Sequence, residues 1–325
     1  IRPLIRANAW RKKKVHLMVF FIFLVANMGG CLTPLGDPPL FMGFQRGVPF
    51  TWTFHLFPIL AFNLILLFAV FMLLDHHYYK KELAEGRSPL DMQKEGEKEP
   101  IRIEGAHNLI FIGMIICGVL ANGMLPEWIP AFANGAGIHV YDEIVFPYAT
   151  LAEVVIILVA ALLSLKTTQE HTRALNEFTN GPIIEVATLF IGIFITMIPA
   201  LMLLKTHGAE LGINQPWQMF WATGALSSFL DNTPTYLVFL QTAGSLGATT
   251  GIVTSVGTVS QIMLEAIAAG AVFMGANTYI GNAPNFMVKS IADENGIRMP
   301  SFFGYLIWSF GILVPVFIVD TLVFF

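Results

Sequence analysis

Long apolar runs separated by short polar segments dominate the chain. A helix that crosses the hydrocarbon core of a membrane needs about 20 mostly apolar residues. Five runs have roughly this length, and we predict that each is a membrane-spanning helix: residues 54–74, 108–125, 144–165, 183–204 and 302–325.

Three further apolar regions are interrupted by polar residues, Gly and Pro. Residues 15–44 break at NMGGCLTPLGDPP (27–39), and residues 252–288 break at NTYIGNAPN (277–285), so both are predicted to be broken helices. Residues 217–246 are too many for one crossing and too few for two, and their middle is polar. We therefore predict a re-entrant hairpin whose tip stops near the middle of the membrane.

The composition narrows the class of protein. Hydrophobic residues make up 55% of the 325 residues and charged residues only 12%, whereas soluble domains contain about 25% charged residues. A soluble protein could not bury so much apolar surface. This excludes a cytosolic enzyme, a nucleic-acid-binding protein and a disordered chain. We expect an all-α polytopic membrane protein whose main partner is the lipid bilayer.

The basic residues predict the orientation. We assume that the chain starts inside, that each broken helix crosses the membrane once and that the hairpin does not cross it. Under these assumptions, all but two of the 18 Lys and Arg residues face the cytoplasm. The exceptions are Arg46 and Lys205. This distribution follows the positive-inside rule. The charged segment 76–106 is then a cytoplasmic linker.

The two predicted broken helices suggest an internal repeat. Asn27 and Asn277 are 250 residues apart, and so are Pro34 and Pro284. An odd number of crossings separates the two segments, so the repeats would be inverted. We assign residues 1–75 to the end of the first repeat and residues 107–325 to the second. The N-terminal hairpin that would complete the first repeat is expected upstream of Ile1, outside this sequence.

The breaks carry the candidate chemistry. Unwound backbone in a membrane is tolerated only where protein or water lines it, and secondary transporters place their substrate between such broken helices. No Lys or Arg lies deep in a predicted span, and hard cations prefer oxygen ligands, so a cation is favoured as the transported species. The candidate ion- or substrate-binding residues are Asn27, Thr33, Asp37, Asp231, Asn232, Thr233, Asn277, Asn282, Asn285 and Glu265.

Purely structural explanations exist for the same residues. Gly and Pro kink membrane helices for packing, and Asn and Thr form hydrogen bonds between helices. Asp37 and Asp231 could also cap half-helices. The sequence pattern leaves both explanations open, and one residue can serve both purposes.

Three segments resemble the ion transporter superfamily: NMGGCLTPLGDPP (27–39), FLDNTPTY (229–236) and GANTYIGNAPN (275–285). The likeness is greatest to the group of citrate transporters and NhaD-type sodium:proton antiporters, and it extends over nearly the whole chain. The resemblance implies two inverted repeats, each with a re-entrant hairpin and a broken helix whose polar tips form the site. It also implies a homodimer.

Two functions follow from these observations. The first is Na⁺/H⁺ antiport by alternating access, in which Na⁺ and H⁺ compete for carboxylates and Na⁺ is held at Asp231, Asn232, Thr233 and Asn282. The second is cation-coupled uptake of citrate or a dicarboxylate, because half-helix N-termini can hold carboxylates without a basic residue. No His-Glu-x-x-His or Gly-x-Ser-x-Gly motif is present, so we do not expect an enzyme. We expect no cofactor beyond the transported Na⁺ and H⁺, and a location in the bacterial inner membrane.

Overall fold

A computed structural model describes most of the chain. The described residues are 1–88, 105–133, 136–141, 144–175 and 206–325, together with residues 180, 184, 187–188, 191–192, 195–196, 198–199 and 202–203. The predicted span 183–204 and the middle of the predicted linker lie largely outside the described residues.

The described elements are mainly helices. In chain order they are α1 (Arg2–Ala7), α2 (Val15–Phe21), α3 (Pro38–Gln45), α4 (Phe57–Ala84), α5 (Asn108–Trp128), α6 (Tyr148–Thr167), α7 (Glu170–Leu175), α8 (Pro216–Ser227), α9 (Asn232–Ser245), α10 (Gln261–Met274), α11 (Ala283–Glu294) and α12 (Phe302–Phe324). Two short antiparallel hairpins are also present, β1 (Gly137–Tyr141) with β2 (Ile144–Pro147), and β3 (Ile252–Thr254) with β4 (Gly257–Val259).

In the described part of the chain, four helices are long and apolar enough to cross a membrane: α4, α5, α6 and α12. The predicted class, an all-α polytopic membrane protein, is confirmed. Some predicted bounds need correction. The helix expected at 54–74 begins at Phe57 and continues to Ala84, because the polar residues after Leu74 extend it beyond the apolar run. Residues 144–147 form strand β2, so the helix that follows begins at Tyr148.

The first predicted broken helix is interrupted as expected. Helix α2 passes into a π-helical turn at Ile22–Asn27 and a 3₁₀ turn at Met28–Gly30 before α3 begins. The second broken helix starts later than predicted, because residues 252–259 form the β3–β4 hairpin. Its first half is α10, a 3₁₀ turn follows at Gly275–Asn277, and its second half is α11.

Two glycine pairs show how the two breaks correspond. A Cβ atom on Gly36 would lie 2.2 Å from the carbonyl oxygen of Gly30, and one on Gly281 would lie 2.6 Å from that of Gly275. In both breaks, therefore, the backbone folds back to touch itself six residues later. Equivalent residues of the two breaks are therefore 245 positions apart in the chain, and not 250 as the sequence pattern suggested.

At the predicted re-entrant hairpin the structure has two short helices, α8 with 12 residues and α9 with 14. At 1.5 Å per residue they are about 18 and 21 Å long, shorter than the roughly 30 Å hydrocarbon core. Residues 228–231 join them and form the tip.

The chain divides into two compact units. Unit 1 comprises residues 1–97 and 191–325. Helix α10 lies at its centre, because the hydrophobic side chains between Ala266 and Met274 are at most 1% exposed. Glycines allow close packing around α10. A Cβ on Gly270 would lie 2.6 Å from the carbonyl oxygen of Phe220 in α8. Between α3 and α9, a Cβ on Gly43 would lie 2.3 Å from the hydroxyl of Tyr236.

Unit 2 comprises residues 98–190, and its described core is the pair α5 and α6. Polar contacts join the two helices, because the Asn108 side chain accepts a hydrogen bond from Ser164 at 2.6 Å and the Asn122 amide donates to Glu153. Many large apolar side chains of this pair are exposed, among them Ile110 and Leu158. Such a surface is expected of helices that face lipid.

Candidate ion-binding site

Asp37 and Asn232 connect the first break to the hairpin tip. Asp37 is the N-cap residue of α3, and Asn232 is the first residue of α9. The Nδ2 atom of Asn232 donates to both carboxylate oxygens of Asp37 at 3.1 Å. The two side chains are buried, and Asp231 stands directly before Asn232 as the N-cap of α9. The Asp37–Asn232 pair therefore joins the first break to the tip, where a second acidic residue precedes Asn232 in the chain.

Asn27 connects the first break to the second. Its Nδ2 atom donates to Oδ1 of Asn285 at 2.7 Å, and its Oδ1 atom accepts from Nδ2 of Asn282 at 3.0 Å. All three asparagines are buried. Because Asn27 belongs to one broken helix and the other two to the second, this amide network fixes the two breaks against each other.

The hairpin tip is bonded to the second break as well. The Nδ2 atom of Asn277 donates to the hydroxyl of Ser228 at 2.9 Å, and the hydroxyl of Thr278 donates to the carbonyl of Ser228. Ser228 in turn donates to the carbonyl of Met274 at 3.1 Å. The tip and the break therefore share several hydrogen bonds within the buried interior.

Side chains also bind the carbonyl groups that the second break frees. Tyr305 donates to the carbonyl of Ala276 at 2.7 Å, and Ser309 donates to that of Asn277 at 2.6 Å. Asn285 donates to the carbonyls of Gly275 and Thr278, each at 2.8 Å. Freed backbone carbonyls of this kind can coordinate a cation. The structure gives them a second use, as acceptors that hold the unwound segment in shape.

Two buried amide oxygens in this region have no hydrogen-bond partner, Oδ1 of Asn232 and Oδ1 of Asn277. Burying an unsatisfied polar atom costs about 1–3 kcal/mol. Such an atom needs an explanation, and a bound ligand is one. Within the part of the chain that the structure describes, no basic side chain forms an ion pair with Asp37 or Asp231. The donor set consists of oxygens and carries negative charge, as a hard cation requires.

The structure brings together eight of the ten predicted residues through bonds or chain adjacency. They are Asn27, Asn282 and Asn285 in the amide network, Asn277 at Ser228, and Asp37, Asp231, Asn232 and Thr233 at the hairpin tip. Thr33 and Glu265 differ, because no described side-chain hydrogen bond links either of them to the amide network, the hairpin tip or the second break. The Glu265 carboxylate accepts from Gln261 and lines a separate pocket with His55.

Sequence reasoning did not select Ser228, Tyr305 or Ser309 as site residues. Ser228 lies beside the polar tip and could have been found from that position. Tyr305 and Ser309 lie inside the apolar run of α12, and no local pattern marks them as partners of the break.

One comparison with known proteins gives a match. Residues 1–325 match a family model described as "Putative citrate transport". The chain belongs to this citrate transport family. No curated protein and no solved structure matches the chain. The membership confirms the resemblance to the citrate transporter group of the ion transporter superfamily, and it makes the chain a secondary transporter of the membrane.

Proposed function

We propose that this member of the citrate transport family exchanges Na⁺ for H⁺ at the hairpin tip and the first break. The carboxylates of Asp37 and Asp231 would bind either one Na⁺ or protons. The free Oδ1 atom of Asn232 would be a neutral ligand of Na⁺. Alternating access would come from movement of the hairpin and the broken helices against the rest of the protein.

The single observation that carries this proposal is the contact between Asp37 and Asn232. Asp37 is 4% exposed, and Asn232 is its hydrogen-bond partner at 3.1 Å. A carboxylate buried with an amide and no described cationic partner is costly. Binding Na⁺ or a proton would remove that cost, and only one of the two can occupy the carboxylate at a time.

Helix N-termini support a cation over a carboxylate substrate. A helix N-terminus attracts anions, but Asp37 and Asp231 already stand at the N-termini of α3 and α9. A substrate carboxylate would be repelled by both side chains. The positive ends of these helices are therefore used to hold the protein's own acids.

The second candidate function is cation-coupled citrate or dicarboxylate transport. Its specific support is Asn282, the N-cap residue of α11, whose neutral side chain makes no capping hydrogen bond. That N-terminus therefore carries no carboxylate of the protein at its N-cap. The family description adds to this support. A transported carboxylate would then lie at α11 and the coupling cation at Asp37.

An exchange assay in proteoliposomes tests the proposal. A pH-sensitive dye reports whether external Na⁺ dissipates an imposed pH gradient, and labelled citrate is offered in parallel. We expect Na⁺-dependent proton movement in the wild-type protein and its loss in Asp37→Asn and Asp231→Asn. Glu210→Gln is the matched control, because Glu210 is exposed and its one ion pair among the described residues is with His207. Citrate accumulation without Na⁺/H⁺ exchange would instead establish the second function.

We further propose that the transporter lies in the inner membrane of a bacterium and acts as a homodimer. Both follow from the family resemblance.

A further inference from the structure

Another buried carboxyl group, that of Asp320, lies away from the broken helices. Asp320 of α12 and Asn63 of α4 are each 0% exposed. The Nδ2 atom of Asn63 donates to both carboxyl oxygens of Asp320 at 2.9 Å and to the carbonyl of Ile59 at 2.9 Å. The Oδ1 atom of Asn63 has no hydrogen-bond partner.

The described hydrogen-bond partner of the Asp320 carboxyl group is neutral. Among the described ion pairs, none includes Asp320. On the neighbouring residue, Thr321, the hydroxyl accepts from the indole of Trp221, which is also neutral. An ionised carboxylate in such a place is energetically unfavourable, and a protonated carboxyl group avoids that cost.

The Asn63 amide can serve both states of the carboxyl group. In the orientation described above, its NH₂ group donates to a carboxylate. After a half-turn about its last side-chain bond, its unpartnered oxygen would accept the O–H of the protonated acid. A side chain with both a donor and an idle acceptor is suited to a group that gains and loses a proton.

A pocket of about 410 Å³ lies near this pair, although neither Asn63 nor Asp320 lines it. Ile59 and Phe324 line it, and they lie one helical turn from Asn63 and Asp320, respectively. The titratable side chains lining it are His55 and Glu265. The Nδ1 atom of His55 is 2.8 Å from the carbonyl of Trp52. That contact assigns the proton of a neutral imidazole to Nδ1 and leaves Nε2 as an acceptor.

We propose that Asp320 and Asn63 form a proton-binding site, separate from the broken-helix site, that exchanges protons with water through the pocket lined by His55 and Glu265. The Asp320 carboxylate takes a proton from water in the pocket, and it returns the proton to water when the pH rises. Glu265 assists that transfer at the pocket. The assignment does not depend on which substrate the protein transports.

Infrared spectroscopy of the purified full chain in lipid vesicles tests the proposal, because the C=O stretch of a protonated carboxyl group is separate from the carboxylate bands. We expect a protonated-acid component at neutral pH that disappears reversibly at higher pH. Asp320→Asn should lack this component, and Asn63→Leu should shift its frequency. Asp37→Asn is the matched control, since it removes a different buried carboxyl group and should leave the Asp320 component in place.

The access route has its own readout. Transfer of the vesicles to D₂O shifts the protonated-acid band, and Glu265→Gln should slow that shift while leaving the band itself unchanged. An equal rate in Glu265→Gln and wild type would overturn the route. If Asp320→Asn does not fold, the spectra of the wild type and Asn63→Leu still decide. The absence of a protonated-acid component that responds to Asn63→Leu would overturn the site.

Discussion

Asp37 and Asn282 occupy equivalent positions in the two broken helices. Asp37 has φ −147° and ψ 134°, and Asn282 has φ −153° and ψ 135°. Each is the N-cap of the half-helix that follows its break, and each has a Pro two residues later. The two backbone arrangements are nearly the same, while one side chain is a carboxylate and the other is an amide.

The ends of these half-helices match as well. Gly47 and Gly296 have positive φ angles of 98° and 75°, which glycine adopts without strain. The next residues, Val48 and Ile297, donate to the carbonyls of Gly43 and Ala292, five positions back. This is the Schellman motif. The two segments therefore share a start, a proline and an end, although α11 is four residues longer than α3.

The equivalent positions of Asp37 and Asn282 in the two broken helices give a prediction that separates the two candidate functions. Asn282→Asp places a carboxylate at the N-terminus of α11. If this N-terminus holds a transported carboxylate, charge repulsion should abolish citrate uptake. If the protein is a Na⁺/H⁺ antiporter, exchange should persist with an altered Na⁺ requirement. Initial rates of both activities in proteoliposomes check this.

Asn282→Ala is the control for that experiment, because it removes the hydrogen bond to Asn27 without adding charge. A loss of activity common to both variants would point to the lost hydrogen bond as the cause. Only a difference between them reports the charge.

Competition between Na⁺ and H⁺ at Asp37 predicts a pH dependence of transport. A protonated carboxyl group cannot bind Na⁺ as a carboxylate does, so the Na⁺ concentration for half-maximal exchange should rise as the pH falls. If one Na⁺ displaces one proton, the change reaches about tenfold per pH unit. Exchange rates measured over a range of Na⁺ concentrations at several pH values test this. A pH-independent half-saturation would contradict competition at a shared carboxylate.

Because the backbones of Gly275 and Gly281 are in contact, we predict that the second break does not tolerate a side chain at position 281. In Gly281→Ala the new Cβ would lie 2.6 Å from the carbonyl oxygen of Gly275 and 2.7 Å from that of Ser227. Because these are backbone atoms in a packed interior, we expect a loss of about 1–3 kcal/mol, seen as a lower melting temperature in detergent. Gly311→Ala is the control, since no described atom beyond its chain neighbours and its own helix backbone lies within 4 Å of its new Cβ. Equal melting temperatures for the two variants would argue against a tight break.

Glu82 fastens the N-terminal segment to the end of α4. Its Oε1 atom accepts from the backbone N–H of Lys12 at 3.0 Å and of Lys13 at 2.6 Å, and Arg87 donates to its other oxygen. That bond raises the pKa of the Arg87 guanidinium above its ordinary value, so Arg87 stays charged. Glu82→Gln should therefore cost about 1–3 kcal/mol, measured as a lower melting temperature.

Glu85→Gln provides the comparison for Glu82→Gln. Glu85 forms ion pairs with Lys13 and Arg87, but its side chain is 38% exposed. Exposed ion pairs contribute little to stability, so this variant should melt close to wild type. A larger effect at Glu85 than at Glu82 would refute the assignment of Glu82 as the fastening residue.

The sequence alone determined the class of the protein and the positions of most helices. An apolar run as long as that of α12 has few structural alternatives, and Pro, Gly and Asn clusters interrupt a helix wherever they occur. The breaks after Asn27 and Met274 and the tip at Asp231 were therefore predictable from local composition. The Asn-rich and Asp-containing tips also indicated most of the candidate site, because polar residues are costly inside a membrane unless something pairs with them.

The tertiary structure decided which polar groups pair. Asn27 and Asn285 are 258 residues apart, and Asn63 and Asp320 are 257 apart. It also moved the match between the two breaks from 250 to 245 residues and placed Glu265 in a pocket away from the amide network. A local pattern can show that a polar side chain needs a partner. Only the packing of distant helices can supply one, because the partner is whichever donor or acceptor the fold brings within about 3 Å.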